Sequence, residues 1–406
     1  MLDSAGFERL GEGDERKLKN GGRYYVVRNM SSVIAFKTPS AKPERYMIAA
    51  AHGESPSFKI KAVPELADKN YIKLNVEAYG GMSLSSWLDR PLSVSGRVVI
   101  DNGESLNVRL VNIDRDSLII PSLAIHLGRG SKNSAELNIC RDMPPMYALS
   151  ESEAGIMSEI ADVLGEEEKS IIGCDLMLYN RERGRIWGRN NEFISAPRLD
   201  DLQCVYALLK GFIESGESRD TVQTLCIFDN EEVGSGTKQG AKSDFLSSVL
   251  LRISNCFGID YAGHMRRLNS SFLVSADNAH AIHPNRSDAY DSENYPRIGG
   301  GVVIKYNAAQ RYTTDAVSEA IFKKICRRAG VPYQVYANKS DIAGGSTLGN
   351  LAAEKTCVNT VDIGLAQLAM HSAYETAGNA DTSYMANAVR EFYNTRLCVI
   401  NDEIRI

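Results

Sequence analysis

Three short, largely apolar runs, each ending abruptly in polar residues, constrain the fold of this 406-residue chain more than any other feature. The runs are Met47–Ala51, Thr224–Phe228 and Phe272–Ala276, and each is followed at once by a His or Asp residue. Strands without polar alternation are typical of parallel sheets that helices cover on both faces. In such sheets ligands bind beyond the carboxyl ends of the strands, so the polar residues after these runs are candidate site residues.

Amphipathic segments between the runs predict the covering helices. Asp200-Asp201 opens a segment with apolar residues at helical spacing, and Asp315 can cap a second segment that ends before Gly330. We therefore predict an α/β fold with a mixed or mostly parallel central sheet flanked by helices.

The stretch from Pro91 to about Arg189 has a different pattern, with short alternating strands around a turn at Asn102-Gly103. This pattern predicts an inserted, mostly β domain at 91–189. The main domain would then be discontinuous and consist of 1–90 and 190–406.

Charge and composition exclude several classes of protein. A net charge of −5 does not suggest the basic surface that nucleic-acid binding needs. We expect no membrane span and no secretory signal, because the chain lacks long apolar stretches and its first residues are strongly charged. The eight cysteines are scattered singly, which indicates reduced, buried thiols and a cytoplasmic protein.

Several polar residues at or near the ends of apolar runs form a candidate site: His52, Asp200, Glu231, Glu232, Asp277 and His371. A pair of zinc ions needs imidazole and carboxylate ligands, one carboxylate that bridges both ions, and open positions for water and substrate. Two histidines and three acids meet this need, and one acid remains. In an adjacent pair such as Glu231-Glu232, one carboxylate can bind metal while the other acts as general base.

The sequence resembles the aspartyl aminopeptidases, which use two zinc ions and are specific for N-terminal acidic residues. The likeness runs through nearly the whole chain, and the family's blocks appear in order. In one-letter code they are AHGESP (51–56), YGG (79–81), WLDRPL (87–92), SAPRLD (195–200), DNEEVGS (229–235), SADNAHAIHPN (275–285), QRY (310–312) and QLAMHS (367–372). The resemblance implies an α/β fold of the zinc-peptidase type.

The resemblance also implies a metal ligand set. His52 and Asp277 would bind one zinc ion. Glu232 and His371 would bind the other, and Asp200 would bridge both. Two Zn²⁺ ions per subunit are therefore expected, with Co²⁺ or Mn²⁺ as acceptable substitutes, since all three accept nitrogen and oxygen ligands.

Three further residues have implied roles in catalysis. Glu231 would be the general base that accepts a proton from a water activated by the two zinc ions. His126 matches a histidine that the family's inserted domain lends to the active site of a neighbouring subunit. Glu54 stands where the family usually has an Asp that orients the first imidazole, and because Glu is longer by a methylene, the side chain must bend or the loop must shift.

Lys305, Tyr312 and His280 are the implied substrate contacts. Lys305 is similar in position to a lysine that the family uses near the acidic side chain of the substrate. From the residues alone, a lysine at the end of an apolar run can equally extend to solvent. His280 and His283 lie in the same loop as Asp277 and can instead orient metal ligands.

These residues predict a hydrolase that removes N-terminal Asp or Glu from peptides with a free N terminus. One alternative is an aminopeptidase for neutral N-terminal residues, because a zinc pair does not determine the preferred side chain. Another is a weakly active or inactive zinc-stabilised assembly protein. The resemblance further implies that the inserted domain mediates dimer formation and that dimers build a hollow homo-oligomer, for which a dodecamer is one candidate. Neither a nucleic acid nor a membrane is an expected partner.

Overall fold

The chain forms two compact units in the computed structural model. The residues that the structure describes are 1–15, 17–128, 137–152, 155–400 and 403–406. The first unit consists of Met1–Glu54, Ile186–Met370 and Thr376–Ile406. The second unit consists of Ser55–Arg185 and the short segment His371–Glu375.

Strands make up much of the described chain. In chain order they are β1 (Glu8–Leu10), β2 (Arg23–Arg28), β3 (Ser32–Lys37), β4 (Arg45–His52), β5 (Ser57–Asp68), β6 (Tyr71–Tyr79), β7 (Leu92–Asp101), β8 (Leu106–Asn112), β9 (Met146–Leu149), β10 (Ile171–Asn180), β11 (Arg185–Trp187), β12 (Phe193–Ala196), β13 (Thr221–Phe228), β14 (Phe272–Ala276), β15 (Ala279–His280), β16 (Val302–Tyr306), β17 (Tyr333–Ala337), β18 (Asn359–Gly364), β19 (Ala366–Leu368), β20 (Glu375–Gly378), β21 (Cys398–Ile400) and β22 (Glu403–Arg405).

The helices follow the same order along the chain. They are α1 (Ile125–Gly128), α2 (Ile139–Asp142), α3 (Ile156–Leu164), α4 (Leu199–Glu214), α5 (Phe245–Cys256), α6 (Tyr261–Asn269), α7 (Ala316–Ala329), α8 (Leu348–Thr356) and α9 (Asp381–Asn394). Within the described part of the chain, no helix combines the length and the apolar character needed to cross a bilayer.

The largest sheet lies in the first unit and has the strand order β1-β2-β3-β13-β4-β14-β18-β16-β17. Its central strands β13, β4, β14 and β18 are parallel neighbours. On either side of this centre, β3 runs antiparallel to β13 and β16 runs antiparallel to β18. The sheet is therefore mixed with a parallel centre, which confirms the predicted fold class.

Both faces of the central strands are buried, as their apolar sequences predict. In β4, Met47 and Ala49 pack in a core cluster with residues of α4, α7 and α9. Ile48 and Ala50 point to the other face and pack with residues of α5 and α8. Full burial of a side chain such as Ile48 contributes roughly 1.5–3 kcal/mol. Helices on both faces therefore explain why these strands show no alternation of polar residues.

The two predicted helices are α4 and α7, and the ends of α7 follow from its sequence. The Asp315 side chain accepts a hydrogen bond from the backbone N–H of Ser318 at 2.8 Å. In return the hydroxyl of Ser318 accepts the N–H of Asp315 at 2.9 Å, which completes a capping box. Gly330 ends the helix with a φ of 64°, a conformation that favours glycine.

The second unit is built on an antiparallel sheet with the strand order β8-β7-β10-β5-β6-β9. Phe58, Trp87, Val94 and Leu176 contribute to its core, together with Ile160 of α3. Its mostly β character matches the sequence interpretation.

The limits of this unit differ from the predicted insertion at 91–189. The unit begins at Ser55, because β5 and β6 pair with each other and β5 also pairs with β10 of the same sheet. The residues 55–90 therefore belong with the second unit and not with the first. A role of this unit in dimer formation stays a prediction.

The cysteines are less uniformly buried than expected. None of those with described side chains forms a disulfide. The buried ones are Cys204, Cys226 and Cys326, whereas Cys140, Cys174 and Cys357 are exposed. The expectation of buried thiols therefore holds for only part of the set.

Candidate metal centre

Three parallel strands end at one edge of the large sheet and carry predicted site residues there. β4 ends at His52, which lies opposite Phe228, the last residue of β13. Asp277 directly follows β14, the other neighbour of β4. Adjacent strands lie about 4.8 Å apart. The fold therefore brings His52, Asp277 and the Glu231-Glu232 pair, which follows β13, to the same edge.

His52, Asp200 and Asp277 form a first group of possible metal ligands, with ligand atoms within 4.8 Å of one another. The Nε2 atom of His52 lies 3.5 Å from Asp200 Oδ1 and 3.9 Å from Asp277 Oδ1. Its Nδ1 atom lies 3.0 Å from the carbonyl oxygen of Glu54, which can only accept a hydrogen bond. The proton on Nδ1 therefore faces this carbonyl, and Nε2 is the nitrogen that faces the two carboxylates and can bind a metal with them.

Asp200, Glu232 and His371 form a second such group, also within 4.8 Å, and these two groups are the candidates found among the described residues. Asp200 belongs to both, as a bridging carboxylate must. His371 has a φ of 63°, which costs a residue other than glycine roughly 1–2 kcal/mol. Its N–H donates to Glu375 Oε1 at 2.8 Å and its carbonyl accepts the N–H of Ser83 at 3.0 Å, which offsets part of this cost.

The start of α4 presents Asp200 to both groups. Arg198, at the N-terminal end of α4, has a left-handed φ of 60°, and Asp200 and Asp201 in the first turn are not helical, so the chain bends sharply there. Carboxylates at this end of a helix are favoured by the helix dipole. The neighbouring Asp201 is fully buried, and its Oδ2 accepts the N–H of His52 at 3.3 Å. Asp201 was predicted only to open a helix and not to belong to the site, although the acidic doublet at 200–201 is a usable signal.

The turn after β13 gives the two adjacent glutamates different positions. Asn230 has a φ of 62°, which Asn tolerates better than most residues, and Glu231–Val233 then form a single 3-10 turn. Glu232 belongs to the second ligand group and Glu231 to neither. Burial, together with the negative charge of Asp277, raises the pKa of Glu231 to about 8. A carboxyl group with such a pKa is a more effective base near neutral pH.

Glu54 connects the two ligand groups. Its Oε1 accepts the backbone N–H of Glu232 at 3.0 Å, while its Oε2 lies 3.6 Å from His52 Nδ1. The backbone carbonyl of Glu54 also holds the imidazole. The longer side chain, compared with the Asp expected from the resemblance, therefore reaches both His52 and the backbone of Glu232. Glu54 thus supports the ligands of both groups.

The electrostatics of the site favour bound cations. Burial alone would lower the pKa of His52, but the carboxylates of Asp200, Asp277 and Glu54 outweigh it and raise this pKa well above its ordinary value. Burial raises the pKa of Asp201 as well, because it disfavours the charged carboxylate. The tightly held protons indicate an excess of negative charge, which divalent cations would balance. Carboxylates and neutral imidazole are also ligands that zinc prefers. The residues therefore fit a divalent metal.

Lys305 and Tyr312 lie next to Asp277 in the interior. The Nζ atom of Lys305 donates to the carbonyl of Asn278 at 2.9 Å and lies 3.6 Å from Asp277 Oδ2. It also lies 5.3 Å from the centre of the Tyr312 ring. Burial opposes the charge of Lys305, but Asp277 and other nearby acidic groups together outweigh it and raise the lysine pKa. In this arrangement the ammonium supports a predicted metal ligand, and contact with a substrate stays a prediction for both residues.

The remaining predicted site residues are exposed. His280 borders a cavity of about 190 Å³ that is also lined by Tyr290, Tyr336 and Lys339. Its ring centre lies 6.3 Å from that of Tyr336. His126 lies in α1 of the second unit, with its side chain in solvent. Its contribution to the active site of a neighbouring subunit stays a prediction.

The sequence model of a known family, described as Aminopeptidase I zinc metalloprotease (M18), matches residues 1–393. The chain belongs to the M18 family of zinc aminopeptidases. It is therefore a hydrolase of the metallo-aminopeptidase class, in agreement with the ligand groups at the sheet edge.

Relatives of similar length support this assignment. A probable M18 family aminopeptidase 2 of Clostridium acetobutylicum is 44% identical over 398 residues, which cover 96% of this chain and 92% of the relative. A protein of the same description from Pseudomonas aeruginosa is 36% identical over 400 residues, with 97% and 92% covered.

Several solved structures share the fold. A chain in the cryo-EM structure of the Ape4 and Nbr1 complex superimposes with a TM-score of 0.92 at 34% identity, with 97% of this chain and 80% of that chain covered. The mApe1 dodecamer of S. cerevisiae gives a TM-score of 0.85 at 26% identity, with 97% and 90% covered. The fold of this chain is therefore shared with these solved structures.

Proposed function

We propose that this M18 enzyme holds two metal ions and removes acidic N-terminal residues from peptides. The observation that carries the two-ion proposal is that Asp200 belongs to both ligand groups, while Glu231 lies beside them and belongs to neither. When bound, two zinc ions would polarise the scissile carbonyl and lower the pKa of a coordinated water.

Glu231 is the residue that moves the proton in this proposal. Its carboxylate accepts a proton from the attacking water and then delivers it to the departing amine. Its raised pKa and its place next to Glu232 support this role. The role of Glu54 is to hold His52 and the backbone of Glu232 in place during these transfers.

The preference for acidic residues is the finer part of the proposal. It is supported by the resemblance of the sequence blocks to aspartyl aminopeptidases and by the cationic Lys305 beside Asp277. One observation favours a second candidate, an aminopeptidase for neutral residues. Lys305 is buried and already bonded to Asp277 and Asn278, so its charge is partly neutralised.

A panel of peptides distinguishes these two candidates. We expect kcat/KM to be highest for peptides that begin with Asp or Glu, and lower for Leu and Ala, when the enzyme is loaded with zinc, cobalt or manganese in turn. Metal content is measured in each preparation. A preference for Leu or Ala under every metal would contradict the acidic specificity, and full metal content without any hydrolysis would favour an inactive assembly protein.

We also propose that the protein is a homo-oligomer built from dimers and that His126 acts in a neighbouring subunit. The dodecamer of S. cerevisiae mApe1 and the solvent exposure of His126 support this view. If it is correct, His126→Ala and Glu231→Gln chains are each impaired alone. Co-expression restores activity, because a site can then combine an intact Glu231 with a neighbour's intact His126.

The control for this experiment is a chain that carries both substitutions. Co-expressed with the His126→Ala chain, it should restore nothing, because no neighbour then offers an intact His126. Mixed assemblies that form, as shown by mass spectrometry, yet fail to recover activity would contradict a role of His126 between subunits.

A further inference from the structure

Asn278 directly follows the metal ligand Asp277, and its buried side chain is fully hydrogen bonded. Its Nδ2 donates to the carbonyl oxygen of Leu199 at 3.0 Å and to Gln367 Oε1 at 2.7 Å. Its Oδ1 accepts the thiol proton of Cys204 at 3.0 Å. A buried amide with all these bonds has one orientation, because the carbonyl of Leu199 can only accept and so requires the NH₂ group.

Each partner of Asn278 lies close in sequence to another predicted ligand. Leu199 immediately precedes Asp200, and Cys204 lies four residues after it in α4. Gln367 belongs to β19, four residues before His371. The side chain of Asn278 therefore connects the residue after Asp277 with the start of α4 and with β19.

The backbone of Asn278 is held as firmly as its side chain. The N–H of Asp277 donates to the carbonyl of Ile363 at 3.1 Å. The carbonyl of Asn278 accepts a hydrogen bond from the Lys305 ammonium at 2.9 Å. Gly364 allows the close approach, because a Cβ atom there would lie 2.1 Å from the Asp277 carbonyl oxygen. With its backbone fixed to β18, the amide of Asn278 can position the start of α4 relative to Asp277.

We propose that Asn278 is a positioning residue that sets the distance between the carboxylates of Asp200 and Asp277, and thereby strengthens metal binding by His52, Asp200 and Asp277. This inference rests on the proposed metal centre. Metal–ligand distances in a well-formed site lie within about 0.2 Å of their standard values, so the positions of the carboxylates matter. Residues that orient ligands in this way typically account for about 10–100-fold in metal affinity.

The test measures zinc affinity by competition with a chromogenic chelator. Asn278→Leu keeps the volume of the side chain and removes its three hydrogen bonds. We expect zinc binding by His52, Asp200 and Asp277 to weaken about 10–100-fold. Zinc binding by the second ligand group should weaken less. The measurement needs no peptidase activity, so it is independent of the specificity of the enzyme.

Gln223 offers a matched control in the same unit. Its amide is also buried, and its Nε2 donates to the carbonyls of Gly216 at 3.0 Å and Tyr393 at 2.9 Å. Its Oε1 accepts the hydroxyl of Ser215 at 3.0 Å. Gln223 lies near the start of β13, away from the edge that carries the ligands. Gln223→Met should lower thermal stability as Asn278→Leu does, but leave zinc affinity unchanged.

Substitutions of Cys204 test the same bond if Asn278→Leu does not fold. Cys204→Ser keeps a donor for Asn278 Oδ1 and should bind zinc as the wild type does, whereas Cys204→Ala should bind it more weakly. The role of Asn278 would be overturned, and the proposed metal centre would stand, if zinc affinity is unchanged in Asn278→Leu or in Cys204→Ala. An equal loss of zinc affinity in Gln223→Met would have the same meaning. A wild-type protein that binds no zinc would overturn the proposed metal centre as well.

Discussion

Replacing Glu231 by Gln is expected to lower kcat by about 10²–10⁴-fold while the metal content stays at the wild-type level. The loss corresponds to about 3–5 kcal/mol of transition-state stabilisation. Gln has nearly the same shape as Glu but accepts no proton, and Glu231 belongs to neither ligand group. The measurement is steady-state hydrolysis of the best peptide of the panel, with metal analysis of the same preparation.

Glu232→Gln is the matched control, because the two residues are adjacent and only Glu232 belongs to a ligand group. This variant should lose metal together with activity. The assignment of the general base is wrong if Glu231→Gln, with its metal retained, still cleaves peptides at the wild-type rate.

Asp200→Asn is expected to weaken the binding of both metal ions, each by more than about 100-fold, which exceeds the usual effect of residues that only orient a ligand. The reason is that Asp200 belongs to both groups and an amide oxygen lacks the charge that balances two cations. A zinc ion present at about 1,000 times its wild-type Kd raises the unfolding free energy by about 4.1 kcal/mol in the wild type. In Asp200→Asn the same zinc concentration should raise it by about 1.4 kcal/mol or less. Thermal unfolding at a series of free zinc concentrations measures this gain.

Asp277→Asn provides the contrast, because Asp277 belongs to one group only. Asp277→Asn should weaken the binding of one ion and leave the second ion bound. One equivalent of zinc should therefore remain under conditions in which Asp200→Asn has lost both. Two tightly bound equivalents in Asp200→Asn would show that this carboxylate does not bridge the ions.

The central strands and their helices were predictable because the relevant signals are local. Burial on both faces makes β4, β13 and β14 apolar throughout, and this pattern is visible without knowledge of any partner strand. The ends of α7 were predictable for a similar reason, since Asp315 and Gly330 act on the backbone of the helix they border.

The limits of the second unit were harder to predict from the sequence. A strand does not reveal in its sequence which sheet it joins, and β5 pairs with β10 more than 100 residues later in the chain. The start of the unit at Ser55 therefore follows from strand pairing and not from a change in composition.

Lys305 illustrates the same limit within the site. A lysine at the end of an apolar strand can extend to solvent or stay inside, and the outcome depends on the charge nearby. Here Asp277, carried by a different strand, holds the ammonium in the interior. The sequence predicted that Lys305 lies near the candidate metal centre, but not that its ammonium contacts Asp277 and Asn278.

The sequence by itself determined the secondary structure of the catalytic core and the side chains that can bind metal, because both depend on local pattern and residue type. Only the tertiary structure decided which atoms meet. The Nδ1 proton of His52, the bond of Glu54 to the N–H of Glu232, and the bond of Asn278 to Leu199 all depend on it. The last two join residues 178 and 79 positions apart, and such distances are set only when the whole sheet and its helices have packed.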